Sequence, residues 1–66
     1  MTMLKVIEVL AESNKSWEDA AQVAITTAAK TVRHIKSINL KNMQATVENG
    51  KITTYRINAK LTFVIE

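Results

Sequence analysis

The tightest constraint in this 66-residue chain is its only glycine, Gly50, which follows Asn49 in the run Glu48-Asn49-Gly50-Lys51. Asn-Gly is the strongest short hairpin signal, because a type I′ turn needs positive φ at both central residues. A two-residue turn also sets the register of the strands it joins. Glu48 falls opposite Lys51 and Val47 opposite Ile52. Further down come Ala45 with Thr54, Met43 with Arg56, Asn42 with Ile57, Leu40 with Ala59 and Ile38 with Leu61. In this register the apolar pairs occupy one face at the base and the other face near the tip. Both strands switch together, so the pairing is self-consistent with no bulge. A single helix can cover only the base. The apolar tip then lies bare on the opposite face, and bare apolar surface of this kind marks an interface.

Ahead of the hairpin, Met3–Ala11 is rich in Val, Ile and Leu on both alternating faces, as in a strand covered from two sides. Ser16 with Asp19 three residues later imitates a capping box, and Glu18 and Asp19 suit the positive end of a helix dipole. From Trp17 to about Arg33 the apolar period is helical. The stripe runs Trp17, Ala21, Ala24, Ala28, Val32, widened by Ala20, Ile25 and Ile35. Lys30 and Arg33 match the negative end of the dipole. Most of the stripe is alanine, which lets a helix sit close to a sheet. The order is therefore β-α-β-β, an α+β fold in one domain spanning residues 1–66. With all strands antiparallel, only the third can lie between the other two, so the sheet order is 1-3-2.

Composition narrows the function classes. A chain this short, folding alone, buries only about 60% of the surface its unfolded form exposes. Small domains usually add a disulfide, a metal or a partner subunit. With no cysteine and a single histidine, His34, the first is impossible and a Cys/His zinc site is out of reach. That leaves an unusually good core or an oligomer, and with the bare apolar tip self-association is the leading expectation. There is no nucleophile-base-orienter set, no paired catalytic carboxylates and no Gly-rich phosphate loop, so the chain does not read as an enzyme. The net charge of +3 suits an anionic partner without demanding nucleic acid. The sheet aromatics, Tyr55 and Phe63, fall on the helix-packed face, which argues against base stacking. No apolar run is long enough to span a bilayer and no signal peptide opens the chain, so a soluble cytoplasmic protein is expected.

Taken together, KVIEVLAES (5–13), SWEDAA (16–21), KTVRHIK (30–36), the Asn-Gly hairpin and TYRI-x-A-x-L-x-F (54–63) resemble the dodecins. The resemblance covers roughly Leu4 to Val64, and its specificity lies in the order and spacing of these pieces. It implies a long hairpin wrapped around one helix, and a hollow homododecameric shell that binds or stores flavin (FMN or riboflavin) without being an enzyme. In flavin-binding members a tryptophan near the start of strand two stacks on the isoalloxazine ring. A glutamine directly after the strand-three tyrosine bonds the ring's polar edge. The matching positions here are Ser37 and Arg56. The hairpin register sets both on the face away from the helix, so the pocket's placement is kept while both contacts change. Losing the indole forfeits about 0.5–1.5 kcal/mol of stacking beyond area burial. A guanidinium in place of the amide is a donor only. A branch of the family with the same two losses, and a similar SWE-x-AA and TYRI, is associated with calcium.

Single residues read as follows. Trp17, at helical spacing, is core packing before it is a ligand platform. Arg56, opposite Met43, is set either to pair with a carboxylate of a neighbouring subunit, the favoured reading, or to hold an anionic ligand. His34 is a helix-end residue. Lys30, Arg33, Lys36 and Lys41 form a solvated face that an assembly can repeat around an axis. Hard-oxygen candidates for calcium are Glu8, Glu12, Glu18, Asp19, Glu48, Asn14, Asn42 and Asn49, with no EF-hand spacing among them. The expected function is a homododecameric shell holding a small molecule or ion. The alternatives are a structural assembly with no ligand of its own and, behind it, a small nucleic-acid-binding protein.

Overall fold

A computed structural model describes residues 2–65 of the chain. It contains β1 (Met3–Ser13), α1 (Trp17–Ala28), β2 (Ile35–Glu48) and β3 (Lys51–Ile65) in that order. The strands form one antiparallel sheet of order β1-β3-β2, as expected, with the helix laid across it. No helix among the described residues is long and apolar enough to cross a membrane.

Small side chains hold the helix against the sheet. Ala20 and Ala24 are buried on the helix, facing Ile57, Ala59 and Leu61 of the central strand. Val9, Ala11, Trp17, Ala21 and Ile38 pack against Ala20, Ile57 and Ala59. With alanine on both surfaces the backbones approach closely. Trp17 closes the end of this seam: its ring meets Tyr55 edge-on, centroids 4.9 Å apart at 80°, and its Nε1–H donates to the Gln44 carbonyl at 2.8 Å. The indole is therefore core, with its polar atom satisfied by the hairpin backbone.

Ser16 caps α1 as expected, its Oγ accepting from the Asp19 N–H at 2.9 Å. The reciprocal half of the box is replaced: the Asp19 carboxylate accepts from Ser13 Oγ at 2.6 Å, and that oxygen accepts the Lys15 N–H at 2.9 Å. The end of β1 and the start of α1 are thus joined by one relay. The helix stops at Ala28, short of the expected Arg33. Beyond Ala28 the bonds tighten, with Lys30 N–H to Thr27 O at 3.2 Å and Thr31 N–H to Ala28 O at 3.0 Å. His34 then turns the chain into β2 at φ 60°. The β-branched run Thr26, Thr27, Thr31 and Val32 gives the helix little support against this tightening. Lys30 and Arg33 consequently stand outside the helix, whose last turn carries no basic residue.

The hairpin register corrects the bulge-free reading. The turn forms as expected, with Asn49 at φ 52° and Gly50 at φ 75°. Glu48–Lys51, Val47–Ile52, Leu40–Ala59 and Ile38–Leu61 pair as expected. Between them the strands are offset by one residue: Asn42 faces Asn58, Met43 faces Ile57, Gln44 faces Arg56 and Ala45 faces Tyr55. An extra residue in β3 at Thr53 opens the offset, and one in β2 at Lys41 closes it. The two slips cancel, so pairs at tip and base are blind to both. A third irregularity, at Lys36, precedes them.

These bulges reverse the inference about faces. The Lys41 bulge keeps Leu40 and Met43 on one face although they are three residues apart. Ile38, Leu40, Met43, Ala45 and Val47 all lie on the helix side, as do Ile52, Tyr55, Ile57, Ala59 and Leu61. The apolar tip is uncovered because it overshoots the helix, not because it faces away from it. Its length shows in the molecular extents, 52 × 20 × 13 Å.

Deleting Lys41 should restore strict alternation and swing Ile38 and Leu40 off the core face. A large fall in the urea midpoint, or loss of cooperative unfolding, is expected. Lys41→Ala keeps the extra residue and should stay within about 0.5 kcal/mol of the parent.

Candidate functional site

The face of the sheet away from the helix follows from the buried positions. With Ile57, Ala59 and Leu61 under α1, the alternate residues Arg56, Asn58, Lys60 and Thr62 point to the other side. The pairing on both flanks then lays out four rows. Arg56 stands between Glu12 and Gln44, and Asn58 between Leu10 and Asn42. Lys60 stands between Glu8 and Asn39, and Thr62 between Val6 and Ser37. The β2 side is amide- and hydroxyl-rich, and the β1 side alternates carboxylates with exposed Leu10 and Val6.

Arg56 is held within the chain. Its Nε–H donates to Glu12 Oε2 at 2.9 Å and its second terminal nitrogen to the same oxygen at 2.7 Å. Both side chains are about half exposed, at 45% and 48%. Within the chain its carboxylate partner is Glu12, and the cross-strand neighbour on β2 is Gln44 rather than the expected Met43. Glu8 and Glu12 lie four residues apart on β1, as do Arg56 and Lys60 on β3, and the antiparallel register matches them as Glu12–Arg56 and Glu8–Lys60. That matched spacing was the available signal for the pair. One further polar feature went unread in the sequence: Asn58 Oδ1, in the next row, is buried and has no hydrogen-bond partner.

Ser37 and Arg56 share this face, as the hairpin reading required, but one chain does not bring them together. Ser37 pairs with Thr62, six residues along β3 from Arg56. At about 3.3 Å per residue that is roughly 20 Å. The calcium candidates are also dispersed. Glu12 is engaged by Arg56 and Asp19 by Ser13. Asn49 sits in the turn. Among the described residues no three acidic, histidine or cysteine side chains gather as a metal-ligand set. The four basic residues divide in two: Lys30 and Arg33 on the α1–β2 connection, Lys36 and Lys41 at the β2 bulges. His34 lends its carbonyl to the Val64 N–H at 3.2 Å, tying the start of β2 to the end of β3.

A three-stranded sheet of order β1-β3-β2, with a hairpin overshooting a single cross-packed helix and a polar outer face, defines a small α+β class of β-α-β-β proteins. The family description Dodecin matches residues 3–66. Calcium dodecin of Mycobacterium tuberculosis is 32% identical over 63 residues, covering 96% of this chain and 89% of that protein. The dodecin of Thermus thermophilus is 27% identical over 62 residues, covering 94% and 90%. Crystal structures agree. A point mutant of the T. thermophilus dodecin superposes with a TM-score of 0.94 at 26% identity, covering 100% of this chain and 98% of that one. The M. tuberculosis protein, described as calcium chelating with a novel calcium-binding site, gives 0.82 at 34% identity, covering 97% and 91%. This chain belongs to the dodecin family.

The Glu12–Arg56 pair is exposed enough for solvent to screen it. A double-mutant cycle with Glu12→Ala and Arg56→Ala, followed by urea unfolding, should return a coupling of about 0–1 kcal/mol. A larger value would mean that the pair is shielded from water by something a single chain does not supply.

Proposed function

We propose that the chain, as one unit over residues 1–66, assembles into a homododecameric shell that holds a small molecule or ion against the outer sheet face and catalyses nothing. The observation that carries this reading is the placement of Ser37 and Arg56. They are on one face yet roughly 20 Å apart along β3, so a flavin-sized ligand touching both positions must sit between copies. Shell assembly supplies that arrangement, and the resemblance to the flavin-binding dodecins identifies these two positions as the family's ring contacts.

Flavin is held weakly in this reading. Ser37 offers no aromatic platform. Arg56 offers donors only, and these are already directed at Glu12. Ser37→Trp with Arg56→Gln should restore both contacts. One stacking contact and one hydrogen bond together are worth about 1–3 kcal/mol, or roughly 5–150-fold in affinity. Fluorescence titration with FMN or riboflavin measures this. An assembled, soluble double variant that binds flavin no better than the parent would remove Ser37 and Arg56 from the ligand site.

A calcium ligand is the second reading, favoured by the 32% identity to calcium dodecin. Because the carboxylates of one chain are dispersed or already engaged, such a site requires side chains from more than one copy. Calcium titration of the assembled protein by calorimetry should then show fewer ions than chains, or one per chain that is lost when the assembly is dissociated. A shell that takes up neither flavin nor calcium would instead be a structural assembly.

A further inference from the structure

The end of the hairpin is backbone with almost nothing packed against it. The turn lies beyond Tyr55, where Trp17 closes the helix–sheet seam. Val47 and Ile52, the apolar pair nearest the turn, are 59% and 51% exposed. Glu48, Asn49, Gly50 and Lys51 are all exposed. A Cβ placed on Gly50 would meet no atom within 4 Å, so the turn is surrounded by open space. Such backbone belongs to the low-stability end of a structure and opens locally, without global unfolding. Two features bound that opening. Thr53 is the extra residue of the β3 bulge, so the ladder is already interrupted there. Its Oγ1–H donates to the Thr46 carbonyl at 3.2 Å and clamps the strands together at the bulge. The unit free to open is therefore 47–52.

That unit contains Asn49-Gly50. Asparagine is a thermolabile residue, and a glycine after it leaves the next backbone nitrogen unshielded by any side chain. When Gly50 N attacks Asn49 Cγ, the N–Cγ bond forms and the Cγ–Nδ2 bond breaks. Nδ2 leaves as ammonia, carrying the proton of the Gly50 amide, and a five-membered cyclic imide remains. Water then opens the ring on either side. Attack at Cγ gives aspartate, and attack at the Asn49 main-chain carbonyl gives isoaspartate, in which the chain runs through the former side chain. Nothing is oxidised or reduced, and water is the only co-reactant. The closed turn withholds this reaction. Asn49, at φ 52°, is in the left-handed region, where ψ is about +30 to +60°. At that ψ the Gly50 nitrogen lies nearly anti to Asn49 Cβ, out of reach of Cγ. Closing the distance requires Asn49 to leave the left-handed region, and a type I′ turn exists only within it. Opening of the tip and access to the amide are one event.

We propose that Asn49 is a modification site, at which local opening of 47–52 converts the side-chain amide to aspartate and isoaspartate while the rest of the chain stays folded. The reaction needs no enzyme, ligand or second copy. Its two products act differently. Aspartate lowers the net charge of +3 by one unit and keeps an Asp-Gly turn. Isoaspartate inserts a methylene into the backbone of a two-residue turn, which can no longer hold Glu48 opposite Lys51 and Val47 opposite Ile52. The hairpin is then left open down to the Thr46–Thr53 clamp.

Warm incubation of the full-length protein at mildly alkaline pH, then proteolysis and mass spectrometry, reads the exchange of NH₂ for OH at each asparagine. Methyl transfer from S-adenosylmethionine by an isoaspartyl methyltransferase measures the isoaspartate formed. Asn49 should be modified while Asn14, Asn39, Asn42 and Asn58, none of them followed by glycine, stay intact. Asn49→Gly keeps a Gly-Gly turn and should abolish both signals. A synthetic peptide of residues 46–53 gives the unrestrained rate. The native protein should react about 10–1,000-fold more slowly, as for an open tip populated at about 0.1–10%. Local opening exposes little surface, so urea below the global transition should change the native rate by less than about twofold. A native rate that climbs with the globally unfolded fraction would overturn the proposal. So would modification spread over the other asparagines, or a protein whose Asn49 stays intact beyond about 1,000 half-times of the peptide.

Discussion

Everything in this fold hangs on how closely α1 can approach the central strand. Ala20 and Ala24 on one side and Ala59 on the other remove the side-chain thickness that normally separates a helix from a sheet. Ile57 and Leu61 fill the space left on either side. A seam of this kind is short, because twelve helical residues span about 18 Å, while β3 alone, at fifteen residues, extends for about 50 Å. The helix therefore cannot cover the strands it organises. Trp17 marks where cover ends: it plugs the seam against Tyr55 and hydrogen-bonds the Gln44 carbonyl, and beyond it the hairpin continues bare.

The architecture was legible in the sequence because each element carried its own punctuation. Asn49-Gly50 announced the turn, Ser16 the helix start, and the alanine stripe the face that meets the sheet. What could not be read was the pair of compensating bulges. A bulge at Lys41 and another at Thr53 leave the tip and base pairings unchanged, so checking the register at its two ends finds no fault. The apolar pattern did register the slip, as an apparent change of face between Leu40 and Met43. A change of face and a bulge produce the same sequence pattern. Burial decides between them, since Ile57 at 0% exposure must have its β2 neighbour on the helix side. The overrun of the helix to Arg33 has a similar cause. Apolar spacing continues through Val32, whose N–H still reaches the Ala28 carbonyl at 2.8 Å, but the i→i−3 bonds of Lys30 and Thr31 mark where the regular helix ends at Ala28.

The candidate site was legible in part for the same reason. The face shared by Ser37 and Arg56 follows from alternation along β3, and alternation survives two cancelling slips. The Glu12–Arg56 pair lies across the β1–β3 junction, which no tight turn fixes, so hairpin arithmetic is silent about it. The resemblance to dodecins points to Arg56 as a ligand position. In this chain the Arg56 guanidinium is occupied by the Glu12 carboxylate of the neighbouring strand. Glu12 takes up the Arg56 donors, whereas a neutral amide at this position would offer both a donor and an acceptor.

The outer face and the apolar groove beside α1 draw on the same strand. β1 supplies Glu8 and Glu12 to the rows that flank Lys60 and Arg56, and its helix-side residues Val9 and Ala11 line the groove. Leu10 belongs to both, as a cross-strand neighbour of Asn58 and a wall of the groove, and is 70% exposed in a single chain. Covering Leu10 would also remove water from around Asn58, whose Oδ1 is already buried without a partner. A buried acceptor left unsatisfied costs about 1–3 kcal/mol. That cost is the kind a ligand donor or a neighbouring backbone can relieve, and it falls one row from Arg56. β1 is therefore at once a wall of the polar face and a wall of the apolar groove beside α1.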